Sequence, residues 1–399
     1  MSSRVLSDWL DAYLKYTVNS EPPLNYKLWV GISVIASCLK RKCVLNWGTL
    51  TIYPNMYIVL VGPSGKCRKG TAMAPGMKFL NEMGIKMSAE SITREALIRE
   101  LRDSNDSTVN IATGEVHLHA SLTIFSQELT VFLGYNNQAL MSDLTDWYDC
   151  RNKWTYRTKN MGTDDIQGVW VNLIGATTPE LIQTTLPMDA IGGGLTSRII
   201  FVYEHRKSRI VACPFLSIEE KEIERKLLND LDKICMLAGE FKVTEDFIDT
   251  YAPWYSNYSM ADPLFPDYRF AGYLERRPMH LLKLCMILSA SRSSSMQITS
   301  EDFHRAIKVL EAIEVKMPYT FSGVGKSDSA DVIQRVMAVL AANNEMEFSD
   351  LMRMFYQDVD KLSLEKIVEM MISMNYATVD LSGGKRLIKY SDKHATFKF

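Results

Sequence analysis

The chain has 399 residues, 47% hydrophobic and 23% charged, with 45 Lys and Arg against 47 Asp and Glu. That balance excludes a mostly disordered chain, a collagen-like one and a globally basic, histone-like binder. The length predicts two or three domains. Seven scattered cysteines, none in a CxxC pair, and a start (MSSRVLSDWLDAYLKY) without an unbroken apolar core predict a reducing, cytoplasmic setting and no leader. No stretch nears the ~18 apolar residues that a bilayer span needs, so no membrane partner is expected.

Residues 1–48 read as an N-terminal helical segment. Leu6, Trp9, Leu10, Tyr13 and Leu14 fall at helical spacing, as do Trp29, Ile32 and Ile35, and Pro22-Pro23 separates the two runs. Lys40-Arg41-Lys42 then reads either as a solvated helix end that complements the macrodipole or as a contact with nucleic acid. From Met56 the pattern changes. MYIVLVG, LTIF (122–125), VWVNLIG (169–175) and RIIFVY (198–203) are continuous apolar runs, with helical stretches at about 71–84, 93–103 and 138–149. That alternation predicts an α/β sheet core over 49–212. Residues 213–321 turn helical. They include the amphipathic IEEKEIERKLLNDLDKICML, the apolar RRPMHLLKLCMILSAS and a helix opened by a capping box of Thr299 and Asp302. SGVGKSDS (322–329) is a linker by composition. Residues 330–399 read as three helices and two alternating runs around Ser382-Gly383-Gly384-Lys385, a winged helix-turn-helix.

The strongest chemical pattern is VLVGPSGKCRKGTA, Val59–Ala72. A buried strand feeds a glycine turn, then a cation, a hydroxyl and a helix, the set that phosphate oxygens need. Gly62 and Gly65 supply the turn and Gly70 follows the cation. Lys69 is the cation for the β- and γ-phosphates, with Lys66 or Arg68 as stand-ins, and Thr71 is the hydroxyl for Mg²⁺. The strict G-x-x-x-x-G-K-[ST] spacing is not met: Cys67 and Arg68 fall where its second glycine and lysine belong. The competing reading is an ordinary glycine turn with solvated cations.

A nucleotide hydrolase also needs a carboxylate to orient water and groups that hold the metal. After SLTIF come Ser126, Gln127 and Glu128. Glu128 is the candidate for water activation, and Ser126 stands where a metal-side Asp is usual; a surface Glu opening a helix is the alternative. VNLIGATTPE ends a third strand in Thr177 and Thr178, a γ-phosphate sensor or a helix N-cap before Pro179. In IGGGLTSRIIFVY, Arg198 suits a finger reaching a neighbour's γ-phosphate or a structural ion pair. Arg276 and Arg277 open the apolar helix, where Arg277 is a candidate nucleotide contact and a plain surface role competes.

Between the acid and sensor strands, DCRNKWTYRTKNMG interleaves Arg151, Lys153, Arg157 and Lys159 with Trp154 and Tyr156. Cations for phosphates with rings for bases suit single-stranded DNA, against a solvated hairpin with its rings packed inward. The winged segment has a mixed-charge third helix and a basic wing (Lys385, Arg386, Lys389), which favours partner or phosphate contacts over base readout. His117 and His119 lack a third ligand nearby and read as a surface strand.

The order of the phosphate loop, SQEL, GATTPE and GGGLTSR resembles phage and prophage P-loop replication ATPases of the primase-helicase kind. The helices followed by a winged helix resemble the MCM and superfamily 3 helicase arrangement within AAA+. The resemblance covers about residues 25–320. It implies an α/β, AAA+-like P-loop core with N-terminal helices, a helical lid and a C-terminal winged helix. It also implies ATP with Mg²⁺, a homo-hexameric ring on single-stranded or forked DNA, and a primase as partner. Residue by residue, Lys69 takes the phosphate-lysine role, Glu128 the Walker B role, Thr177 the sensor role and Arg198 the finger role, and the 151–159 hairpin that of the channel hairpin. A loader or regulatory switch that recruits a partner through its winged helix is the alternative, and a nucleotide-binding scaffold without turnover a third reading.

Overall fold

The computed structural model describes residues 4–109, 114, 116–158, 162–186, 192–265, 267–321, 332, 335–337, 339–340, 343–356, 359–373, 376–380 and 386–391. The chain divides into two compact units, Met1–Ser322 and Gly323–Phe399.

The first unit opens with helices α1 (Trp9–Tyr16) and α2 (Leu24–Leu39). The Asp8 side chain caps α1 by accepting from the Asp11 amide. Helix α2 is buried nearly all round, as its unbroken apolar run requires. Helix was expected through residue 48. The chain instead forms an antiparallel pair, β1 (Cys43–Trp47) and β2 (Leu50–Ile52). Inward Cys43 and Leu45 alternate with exposed positions, and Gly48 takes the left-handed turn (φ 61°) between the strands.

Then come β3 (Tyr57–Val61), α3 (Lys69–Glu82), α4 (Arg94–Asp103), β4 (Asn105–Val109), β5 (Val116–Ser126), α5 (Leu129–Leu133), α6 (Gln138–Tyr148), β6 (Lys153–Thr158), β7 (Gly162–Gln167), β8 (Val169–Thr177), α7 (Pro179–Thr185) and β9 (Ile199–Tyr203). The fold is mixed α/β. Its central sheet runs β4-β5-β8-β3-β9. The last four strands are mutually parallel, and β4 pairs antiparallel with β5 at the edge. Strands β3 and β8 are buried along their whole length, as expected of a parallel sheet covered on both faces. The chain leaves β3, builds β5, returns to place β8 between them, and crosses to β9 on the far side. The carboxyl ends of β3 and β8 therefore border a crevice of the kind in which open α/β sheets bind ligands.

One face of the sheet packs on α2. There Asn172 of β8 donates its amide to the hydroxyls of Ser33 and Ser37, both at 3.0 Å, and accepts from the Met56 amide at 2.9 Å. Tyr57 faces the other side, where its hydroxyl donates to the Leu144 carbonyl of α6 at 2.9 Å. The unit closes with α8 (Ile218–Cys235), short strands β10 (Gly239–Glu240) and β11 (Lys242–Val243), α9 (Glu245–Met260), α10 (Ala271–Arg292), β12 (Gln297–Ile298) and α11 (Ser300–Glu314). Both halves of the Thr299–Asp302 capping box are present at the start of α11. The expected linker at 322–329 lies outside the described residues.

The second unit has a three-stranded antiparallel sheet, ordered β13 (Glu345–Glu347), β15 (Leu387–Tyr390), β14 (Ala377–Asp380). Helices α12 (Phe348–Phe355) and α13 (Lys361–Ser373) bury Leu351, Phe355, Leu364, Ile367, Val368 and Met371 in a core with Ile388. The expected turn at 382–385, with Lys385, lies outside the described residues. Arg386 stacks over Phe348 at 4.9 Å, and Lys389 pairs with Asp380 at 2.8 Å. Among the described residues, no helix is long and apolar enough to cross a membrane.

Candidate functional site

The turn between β3 and α3 is fastened on both sides to the sheet. The Gly62 amide donates to the Thr177 carbonyl (3.3 Å), and the Glu204 amide just past β9 donates to the Val61 carbonyl (3.0 Å). Below it, the Tyr26 hydroxyl of α2 donates to the Val61 carbonyl at 2.6 Å, and the buried Cys67 thiol donates to the Glu204 carbonyl at 3.1 Å. Gly62 is required here by crowding: a Cβ would meet the Glu204 carbonyl oxygen at 2.4 Å and the Tyr26 hydroxyl at 2.6 Å. Gly65 turns the chain at φ +69°. Ser64, Gly65 and Lys66 are exposed at the tip.

Arg68 then takes the left-handed conformation (φ 55°, ψ 43°), which L residues other than glycine adopt rarely and at a cost. Helix α3 starts directly after it, at Lys69. No side chain caps that helix end, so the amides of its first turn have no acceptor within the helix. This is the arrangement that receives an anion. Lys69 curls back and donates to the Gly62 carbonyl at 2.6 Å. Burial lowers its pKa, while Cys67, Glu128 and Glu180 pull it up. Thr71 is exposed on the same turn.

The other predicted groups reach this place from neighbouring strands. Glu128 follows β5 and its carboxylate acts electrostatically on Lys69. Gln127 packs so near the start of α3 that a Cβ on Gly70 would stand 3.1 Å from its side-chain oxygen. Thr177 is buried at the end of β8, paired in register with Val61. The capping role falls to Thr178, whose hydroxyl accepts from the Leu181 amide at 3.3 Å. Glu180, on the first turn of α7, is a second carboxylate near Lys69 that the sequence reading passed over. Its position two residues beyond the Thr-Thr pair was the available signal.

Mg²⁺ fits this set only as an ion carried mainly by phosphate and water oxygens. Thr71 is the accessible hydroxyl, Ser126 is buried at the end of β5, and no group of three His, Cys, Asp or Glu placed to hold a metal exists among the described residues.

Three of the expected nucleotide contacts are engaged within the chain. Arg68 turns away from the loop to Glu21 (2.8 Å), which Lys207 also holds. Arg277 is buried, with its Nε 2.6 Å and an Nη 2.9 Å from the two Glu314 carboxylate oxygens, so it carries no free charge to a ligand. Arg198 lies at the opposite end of the sheet, just before β9. Its guanidinium is buried, 2.6 Å from Asp149 and 2.9 Å from the Gly194 carbonyl. Asp149, at the end of α6, takes its charge. Arg276 is the more exposed arginine beside it, donating to the Ser197 hydroxyl at 3.2 Å.

Within the 151–159 segment, Lys153–Thr158 form β6, paired antiparallel with β7. Its rings pack inward: Trp154 meets Trp147 edge-on at 5.4 Å, and Tyr156 lies under Arg94 at 4.8 Å. The cations face acids. Arg151 pairs with Asp146 (3.1 Å) and Lys153 with Asp165 (3.2 Å) of β7, and Arg157 donates to the Thr163 hydroxyl (3.0 Å). Lys159 lies outside the described residues. Lys40-Arg41-Lys42 is neither a solvated end nor a loose patch. Lys40 pairs with Asp106, and buried Arg41 donates to the carbonyls of Cys150 and Val169 and to the Asn152 side chain. His119 is buried between Thr108 and Ser121, and burial pushes its pKa down to about 4.

No protein-family model matches the chain, and no curated protein matches it either.

Proposed function

We propose that the chain binds ATP at the turn after β3 and hydrolyses it, as a ring-forming DNA helicase or translocase of phage or mobile-element replication. The observation that carries the reading is convergence. Lys69, Glu128 and Thr177 come from three separate strand ends and gather at one sheet edge, around an uncapped helix start. Lys69 exchanges the Gly62 carbonyl for a phosphate oxygen, the amides of the first turn of α3 take further oxygens, and Glu128 orients water. Mg²⁺ supplies charge neutralisation on the triphosphate. Thr71 is the hydroxyl offered to it.

The test is phosphate release by the full chain, with and without single-stranded DNA. Wild type should turn over, and Lys69→Ala and Glu128→Gln should not. Full turnover in either variant overturns the site assignment.

A second reading has its own observation. Two of the hairpin cations, Arg151 and Lys153, are neutralised by Asp146 and Asp165, which favours an ATP-dependent loader or switch that recruits a partner through its C-terminal winged helix without unwinding. Lys153→Glu with Arg157→Glu separates the two. Unwinding of a forked duplex is lost under the first reading and was never present under the second, while DNA-independent turnover survives in both.

A further inference from the structure

A cavity of about 600 Å³ is walled by α9, the first turns of α10 and the chain between them. Tyr255, Tyr258 and Tyr268 present rings to it, and Asp262 and Glu275 present carboxylates. No Lys or Arg lines it. Asp267 in its wall is already neutralised by Arg269 at 2.6 Å. Asp262 and Glu275 are exposed and have no ion-pair or hydrogen-bond partner among the described residues. Rings beside free carboxylates select an organic cation, and a guanidinium uses both at once, stacking and pairing. The molecule already does this one layer down, where the Arg277 guanidinium lies 5.3 Å from the Tyr258 ring and 5.8 Å from that of Trp254.

Matching cations stand just past the carboxyl end of β9. The chain leaving β9 reads His205-Arg206-Lys207-Ser208-Arg209. Lys207 is held by Glu21, and its amide donates to the Lys66 carbonyl, which fixes this segment beside the phosphate turn. Arg206 and Arg209 are exposed, with no ion-pair or hydrogen-bond partner among the described residues. Neither Arg206 nor Arg209 lines the cavity of its own chain.

We propose that the tyrosine- and carboxylate-lined cavity of α9–α10 is the socket for the Arg206–Arg209 segment of a second copy of this chain. Such a contact is head-to-tail. It repeats from copy to copy, and it closes into a ring when the rotation permits. The inference rests on the ring reading above for closure.

The experiment is sedimentation velocity of the full chain over a concentration series at low and high salt. Wild type should self-associate, more weakly at high salt. Asp262→Lys with Glu275→Lys should weaken association at least about tenfold, and so should Arg206→Glu with Arg209→Glu. A chain carrying all four reversals should associate again. Circular dichroism checks folding, and the gentler Glu275→Gln and Arg206→Gln should each weaken association in the same direction. A monomeric wild type, unchanged association in the reversals, or no recovery in the fourfold variant overturns the proposal. So does a monomer whose cavity titrates with an arginine-bearing peptide, which would make the partner another protein. Binding of a fluorescent ATP analogue is followed in parallel. Its loss in Lys69→Ala but not in the charge reversals belongs to the phosphate turn, and its absence from wild type sinks the nucleotide reading while leaving the assembly result to stand on its own.

Discussion

The two ends of the central sheet hold similar residues in opposite circumstances. At the carboxyl end, Lys69 is hydrogen-bonded to a backbone carbonyl, and Ser64, Lys66 and Thr71 are exposed around it. At the amino end, Arg198, Arg41 and Lys283 are buried, and of these Arg198 alone is held by a carboxylate. Arg198 has Asp149, Arg41 has the Cys150 and Val169 carbonyls, and Lys283 donates to Asn55 at 2.5 Å. Nearby in α10, Arg277 has Glu314. A cation on a lone carbonyl gives up little when a phosphate oxygen replaces it. A buried cation on a carboxylate leaves an orphan charge behind when it moves. Residue type alone does not tell a ligand contact from a structural ion pair; the company the charge keeps does.

That contrast can be broken by mutation. The largest effect is expected at the carboxyl end: Lys69→Ala should cut phosphate release at least about a hundredfold, with the melting temperature unchanged. A matched loss of stability would move Lys69 into the structural class. Arg277→Ala should do the reverse, costing about 3–5 kcal/mol in urea unfolding because Glu314 stays buried without a partner. Arg198→Ala should cost less, about 1–2 kcal/mol, since Asp149 is 41% exposed and water screens it once it is alone. Hydrolysis lost with stability intact would restore the finger role to Arg198.

The effect that is smallest near neutral pH, and grows only on acidification, sharpens the picture further. Burial pushes the His280 pKa down to about 3, with Lys283 and the nearby arginines adding to the shift. Below about 6.5 the unfolded chain takes a proton that the folded one refuses. The contribution of this group is therefore complete above that pH and declines toward pH 3, by up to about 1.4 kcal/mol per unit. His280→Gln should flatten that part of the stability profile.

The sheet strands were legible because unbroken aliphatic runs have few other places to go. The glycine turn after β3 and the helix that follows it were legible because glycines, cation, hydroxyl and helix occur in a physically meaningful order. Pairing was not legible. Nothing in GGGLTSR announces that Asp149, far back in the sequence, captures Arg198. Nothing in KWTYRT announces that β7 brings acids opposite the cations. The β1–β2 turn was missed because Lys40-Arg41-Lys42 looked like a helix end. Glu180 was missed because attention stayed on the hydroxyls before it.

Helix α2 has a mechanical consequence. Near its first residue, the Tyr26 hydroxyl holds the Val61 carbonyl under the β3–α3 turn; just past its last, Arg41 grips the carbonyls at the root of the β6–β7 hairpin. Sixteen residues of helix, at about 1.5 Å each, make a stiff strut on the order of 24 Å long. Displacement at one extremity is thus delivered to the other along a single covalent rod, without crossing the sheet.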